Sequence, residues 1–262
     1  LAKALLGEFL ATFIFLFVVM ATGVNVYRLG GDAVGIIIGG VGTGFTAVAV
    51  IYSFADVSGA HFNPAVTFGT MVMGKTSWIK GAGYIGVQLF AAVIATAFLA
   101  VVFPEKGNVV FSEVLVSVYK DTNVINAVVT EFILSFILVY VIFAVAFDTV
   151  DSTNAAPIVT GNALKDRSIG RNLTIYTTSG STKAGFAPIA IGFTLGFLCF
   201  IGGSTSGGAF NPARAFGPAI LTGKFDLHWV YWLGDFAGAA FAGFIQSFLA
   251  HKPKQASGSA RI

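Results

Sequence analysis

The stretch HFNPAVTFG, His61–Gly69, returns in the second half of the chain as AFNPARAFG, Ala209–Gly217. Asn is a favoured helix N-cap and Pro a favoured first helical residue. Asn63-Pro64-Ala65 and Asn211-Pro212-Ala213 therefore each read as the start of a helix. From Pro64 to Gly74 such a helix is about 16 Å long, and from Pro212 to Leu221 about 15 Å, at roughly 1.5 Å per residue. Neither crosses a hydrocarbon core of about 30 Å, yet two placed end to end do. A lone Asn-Pro is ordinarily just a turn. Two in matching places are an architecture.

A second repeat fixes those places. GEFLATFIFLFV at Gly7–Val18 returns as TEFILSFILVYV at Thr130–Val141. Around these segments, charge-free runs cover Phe9 to Tyr27, Ala33 to Ala55, Gly81 to Pro104 and Ala184 to Ala213. Thr122 to Phe147 and Leu227 to Ala250 add two windows holding one acid each, Glu131 and Asp235. The reading is six transmembrane helices and two re-entrant half-helices. Strands of a membrane barrel are shorter and alternate strictly. Three spans per half is an odd number, so the halves are expected to be inverted about an axis in the membrane plane.

Composition agrees. Only 10% of the 262 residues are charged, against 56% hydrophobic, with 27 Phe and 32 Gly. A soluble domain averages about 25% charged residues. One Cys and a net charge of +3 argue against a disulfide scaffold and against nucleic-acid binding. No cleavable signal pattern is read, and the start at Leu1 without Met suggests a trimmed N-terminus.

Lys and Arg set the expected orientation. Lys3, Lys75, Lys80, Lys165, Arg167, Arg171, Lys183, Lys252, Lys254 and Arg261 fall on the side of both termini. Arg28, Lys106, Lys120, Lys224 and Arg214 fall on the other. Both termini are expected in the cytosol. One transmembrane domain is expected, with repeats over 5–104 and 125–250, a long cytosolic loop over 148–185 and a tail over 251–262.

If each Asn oxygen caps its own helix, each amide stays free to donate into a passage. Two positive helix ends facing one point disfavour cations and hydrated protons. Here the sequence resembles the aquaporin family, the major intrinsic proteins, from about Leu5 to Ala250. SGAHFNPAV at Ser58–Val66 and NPAR-AFGPA at Asn211–Ala219 carry the likeness. The resemblance implies a homotetramer whose subunits each hold a pore for water or small neutral solutes. No cofactor, metal or nucleic-acid partner is implied, and no enzymatic activity: Cys199 has no His nearby in sequence to activate it.

The resemblance also implies roles. Arg214 would sit at the narrow outer constriction, donating to a permeant and repelling cations; intramembrane charges are functional by default. Counting against the family pattern puts Thr43, Cys199 and Gly208 beside it. These small residues match neither the water-selective nor the glycerol-type filter and imply a wider, less polar aperture. Ala215, Ala219, Tyr231 and Trp232 read as water-type flanks. Glu8 and Glu131 would brace the re-entrant loops. His61 reads equally as a packing residue and as a pore contact. Asp235 stands where the family usually has Pro.

Water conduction is the primary expectation. Glycerol or urea permeation and a closed, non-conducting structural member are the alternatives, and a coupled transporter is a rival with only Glu8 and Glu131 as ionisable candidates. The plasma membrane and an intracellular vesicle or vacuole fit equally. The loop over 148–185 is a candidate gate, with Ile169, Leu173, Ile175 or Tyr176 as an apolar plug and Ser168 as a phosphorylation site beside Arg167 and Arg171. Gly40/Gly44, Gly192/Gly196 and Gly234/Gly238 predict close helix packing.

Overall fold

The computed structural model describes residues 1–28, 33–104, 109–147 and 182–249, and no strand occurs among them. The helices are α1 (Ala2–Arg28), α2 (Ala33–Phe54), α3 (Pro64–Val72), α4 (Trp78–Val102), α5 (Val109–Glu113), α6 (Val124–Ile142), α7 (Thr182–Gly202), α8 (Pro212–Thr222) and α9 (Trp229–Leu249). A π-helical turn, Phe143–Phe147, continues α6. Helices α1, α2, α4, α6 with its continuation, and α7 are long and apolar enough to cross a membrane. The sixth long helix, α9, has 21 residues and buries Asp235 and Gln246 on its inner face.

Helix α1 starts at Ala2, well before the expected Phe9, because Ala, Leu and Lys are strong helix formers. The charge-free run Ala184 to Ala213 is not one span. Helix α7 ends at Gly202, and Gly207 and Gly208 turn the chain away with φ of +87° and +60°. The half-helices also differ from their expected ends. Helix α3 stops at Val72, where the Lys75 and Thr76 N–H groups fold back onto the Thr70 carbonyl. Helix α8 runs on to Thr222 and ends at Gly223 in the left-handed region, a common helix terminator. The expected gate residues Ser168, Ile169, Leu173, Ile175 and Tyr176, and the tail over 251–262, lie outside the described residues.

The repeat governs packing. Helix α1 packs on α4, as its counterpart α6 packs on α9, and α2 meets its own counterpart α7. The half-helices are exchanged between the halves: α3 packs against α9, and α8 against α4. At the α2–α7 crossing the backbones touch through glycines. A Cβ on Gly44 would stand 2.9 Å from the Gly192 carbonyl oxygen, and one on Gly196 would stand 3.0 Å from that of Gly40. Gly234 and Gly238 serve the same purpose between α9 and α6. All three glycine pairs anticipated from the sequence lie at close contacts. Such small-residue seams suit helices that associate without a hydrophobic driving force.

Candidate pore and its bracing

Each half-helix is capped by its motif Asn. Asn63 Oδ1 accepts from the Ala65 N–H at 2.8 Å, and Asn211 Oδ1 from the Ala213 N–H at 3.1 Å. The amides are less free than the sequence suggested. Asn63 Nδ2 donates to the Phe210 carbonyl at 2.8 Å, and Asn211 Nδ2 to the Phe62 carbonyl at 3.0 Å. An amide carries two hydrogens, so each Asn ties the opposite loop with one and keeps the other. The N-termini of α3 and α8 thus meet at a cross-linked point.

Phe62 and Phe210 hold the unusual conformation this crossing needs, with φ of +36° and +32°. A non-glycine residue there costs roughly 1–3 kcal/mol and persists only when its surroundings over-determine it. Two buried carboxylates do so. Glu8 accepts from the Ser58 hydroxyl at 2.7 Å, the His61 N–H at 2.9 Å and the Phe62 N–H at 2.8 Å. Glu131 accepts from the Ser206 hydroxyl at 2.5 Å, the Ala209 N–H at 3.0 Å and the Phe210 N–H at 2.6 Å. Tyr84 donates to the Ser58 carbonyl at 2.6 Å, and Tyr231 to that of Ser206 at 2.9 Å. Buried carboxylates persist when hydrogen-bonded in this way.

His61 belongs to the first brace. Its Nδ1 lies 3.1 Å from the Thr67 hydroxyl and its ring packs edge-on against Tyr84. Gln88 completes the cluster by donating to Glu8 at 2.8 Å. The bracing roles of Ser58, Ser206, Tyr84, Tyr231 and Gln88 are not legible in the sequence, where Tyr231 reads only as a water-type flank. The two Ser-Gly pairs flanking the Asn-Pro-Ala motifs were a usable signal for the serines, but Gln88 had none.

The four expected constriction residues come together. Thr43, Cys199, Gly208 and Arg214 line one cavity of about 190 Å³ together with Asn211, Phe15 and Val19. Thr43 comes from α2, Cys199 from α7, Gly208 from the loop and Arg214 from the first turn of α8. The Arg214 Nη1 is buried without a protein hydrogen-bond partner. Cys199 Sγ turns back to the Leu195 carbonyl at 3.3 Å. At Gly208 a Cβ would stand 3.1 Å from the Gly202 backbone, so a larger residue is strained there.

Six long helices, two end-to-end half-helices and twin Asn caps are accompanied by a sequence match to a family description. The model of the Major intrinsic protein family matches residues 1–181 and 171–246. The chain belongs to the major intrinsic protein family. It is a passive membrane channel, as members of that family are, rather than an enzyme. Aquaporin-B of Dictyostelium discoideum is 56% identical over 259 residues, covering 97% of this chain and 85% of that protein. Aquaporin TIP1-2 of Zea mays is 34% identical over 260 residues, covering 97% and 89%. Among solved structures, the aquaglyceroporin from Plasmodium falciparum superposes with a TM-score of 0.69 at 22% identity, covering 95% of this chain and 96% of that one. That likeness concerns the fold.

Proposed function

We propose that this channel of the major intrinsic protein family passes water in single file past Asn63 and Asn211 and through a constriction of Thr43, Cys199, Gly208 and Arg214. The observation that carries the reading is that these four residues, from separate elements, line one cavity together with Asn211. The second hydrogen of each Asn amide and the Arg214 guanidinium are the donors a passing water needs. Between them the walls are apolar, so a permeant is held at few points and released readily. Facing half-helix N-termini and Arg214 act against cations and protons. The assembly is a homotetramer with one pore per subunit and cytosolic termini.

A more permissive pore is a second reading, favoured by the small Thr43 and Gly208 at the constriction. Stopped-flow light scattering on proteoliposomes under sucrose, glycerol and urea gradients tests both. Water flux well above that of empty vesicles is expected, with glycerol and urea slower. Flux no greater than that of empty vesicles for every gradient would overturn the proposal. Uphill accumulation driven by a proton gradient would replace it with a coupled transporter.

A further inference from the structure

The two braces share their serine and backbone donors; they differ at His61 and Thr67, whose counterparts are Ala209 and Ala215, and at Gln88, whose counterpart is Asp235. Glu8 Oε1 takes Ser58 and His61, and Glu8 Oε2 takes Phe62 and the Gln88 amide. Glu131 Oε1 takes Ser206 and Ala209, and Glu131 Oε2 takes Phe210. A carboxylate offers about four lone-pair sites, so Glu131 lacks its fourth donor. Gln88 stands one helical turn beyond Tyr84; the residue one turn beyond Tyr231 is Asp235. Helix α9 packs on α6 at this point: a Cβ on the neighbouring Gly234 would stand 2.7 Å from the Glu131 Cβ, and Glu131, Ser135 and Asp235 are all buried. Both side-chain oxygens of Asp235 are buried and receive no hydrogen bond, and the Ser135 hydroxyl is likewise without a partner. Asp235 itself is 0% exposed.

Two ionised carboxylates close together in a fully buried site are strongly unfavourable. Arg214 forms no hydrogen bond or ion pair with Asp235 among the described residues. Tyr231 is committed to the Ser206 carbonyl. The remaining way to satisfy the pair is a proton on Asp235.

We propose that Asp235 is a positioning residue that carries a proton and donates it to Glu131 Oε2, supplying the hydrogen bond that Gln88 supplies to Glu8. Ser135 then donates to the Asp235 carbonyl oxygen. The proton stays on the pair and is not passed on. Its effect is indirect: Glu131 holds the Ala209 and Phe210 N–H groups, and with them the loop that presents Gly208 and leads into Arg214. The inference rests on the pore reading only for that last consequence.

Infrared spectroscopy of the full chain in lipid at neutral pH tests the proton directly. The wild-type protein should show a protonated-carboxyl C=O band that shifts in heavy water, and Asp235→Asn should lack it. Absence of the band, or its survival in Asp235→Asn, overturns the proposal. Water flux per inserted channel is the second readout. Asp235→Asn retains a donor and should keep most of the flux, whereas Asp235→Leu, with none, should lose it several-fold. Equal flux in the two variants means the donor is dispensable and contradicts the proposal. If Asp235→Leu fails to insert, the infrared comparison stands without it. A wild-type chain that conducts nothing would sink the pore reading and leave the carboxyl band as the test of the pair.

Discussion

The amide of Asn63, on one re-entrant loop, donates to the carbonyl of Phe210 on the other, 2.8 Å away. Asn211 and Phe62 repeat the link in reverse at 3.0 Å. Each Asn thus caps its own half-helix and fastens the opposite one. The strain at the two Phe residues is met by backbone N–H bonds to Glu8 and Glu131. The meeting point of the half-helices is accordingly held from both sides of the repeat.

The braces should dominate the stability of the loops. Glu131→Leu leaves the Ser206 hydroxyl and the Ala209 and Phe210 N–H groups without their acceptor. At roughly 1–3 kcal/mol for each buried unsatisfied group, the loss is several kcal/mol. Tyr231→Phe removes one hydrogen bond and should cost about 1 kcal/mol. Thermal unfolding in detergent should rank the two in that order, and equal shifts would contradict the bracing scheme.

The glycine seam gives a steric prediction. Gly44→Val and Gly192→Val each push a side chain into the facing backbone of α7 or α2, where a Cβ alone already stands 2.9 or 2.7 Å from a carbonyl oxygen. Both variants should fail to yield folded protein on size exclusion. Gly86→Val, at a position whose Cβ would meet nothing, should behave as wild type.

His228 precedes α9 and predicts an acid-sensitive corner. Its Nδ1 accepts the Trp232 indole N–H at 2.9 Å, and its ring packs among Phe216, Phe225 and Tyr231. Burial lowers its pKa from the ordinary 6.5, opposed by the Ala215 carbonyl. A lowered histidine pKa means that the unfolded chain binds the proton more readily. Its contribution to stability is therefore complete above about pH 6.5 and declines as the pH falls below that value. The unfolding temperature should drop on acidification, with a shallower dependence in His228→Phe. An identical pH dependence in the two proteins would contradict this.

Arg214 should act as an electrostatic barrier. Its Nη1 has no protein partner and the side chain lines the cavity, so its charge is available to the path. Arg214→Val should retain water flux and raise proton conductance, read with a pH dye inside proteoliposomes. Unchanged proton conductance would remove the barrier role.

Much of this is legible in the sequence. Asn-Pro-Ala signals a helix start by local chemistry, and six apolar runs with a repeated Glu segment reveal the inverted halves. Counting against a known family picks out Thr43, Cys199, Gly208 and Arg214 as expected constriction residues, and all four line one cavity. Glu8 and Glu131 read as braces from the family resemblance, but their partners stay hidden because they lie far apart in sequence, as Gln88 does from Glu8. The end of α7 at Gly202 was hidden because a re-entrant loop in a membrane is as apolar as the span it leaves. The crossed Asn bonds were hidden because they join the two halves, whose approach only the fold decides.

The central claim is that water passes through the cavity lined by Cys199, and the single Cys of the chain makes it testable. The measurement is the osmotic water permeability of proteoliposomes, with and without a mercurial, for wild type and Cys199→Ser. The account predicts flux well above that of empty vesicles, blocked by the mercurial in wild type and unaffected by it in Cys199→Ser. Substantial wild-type flux that the mercurial leaves unchanged would contradict it.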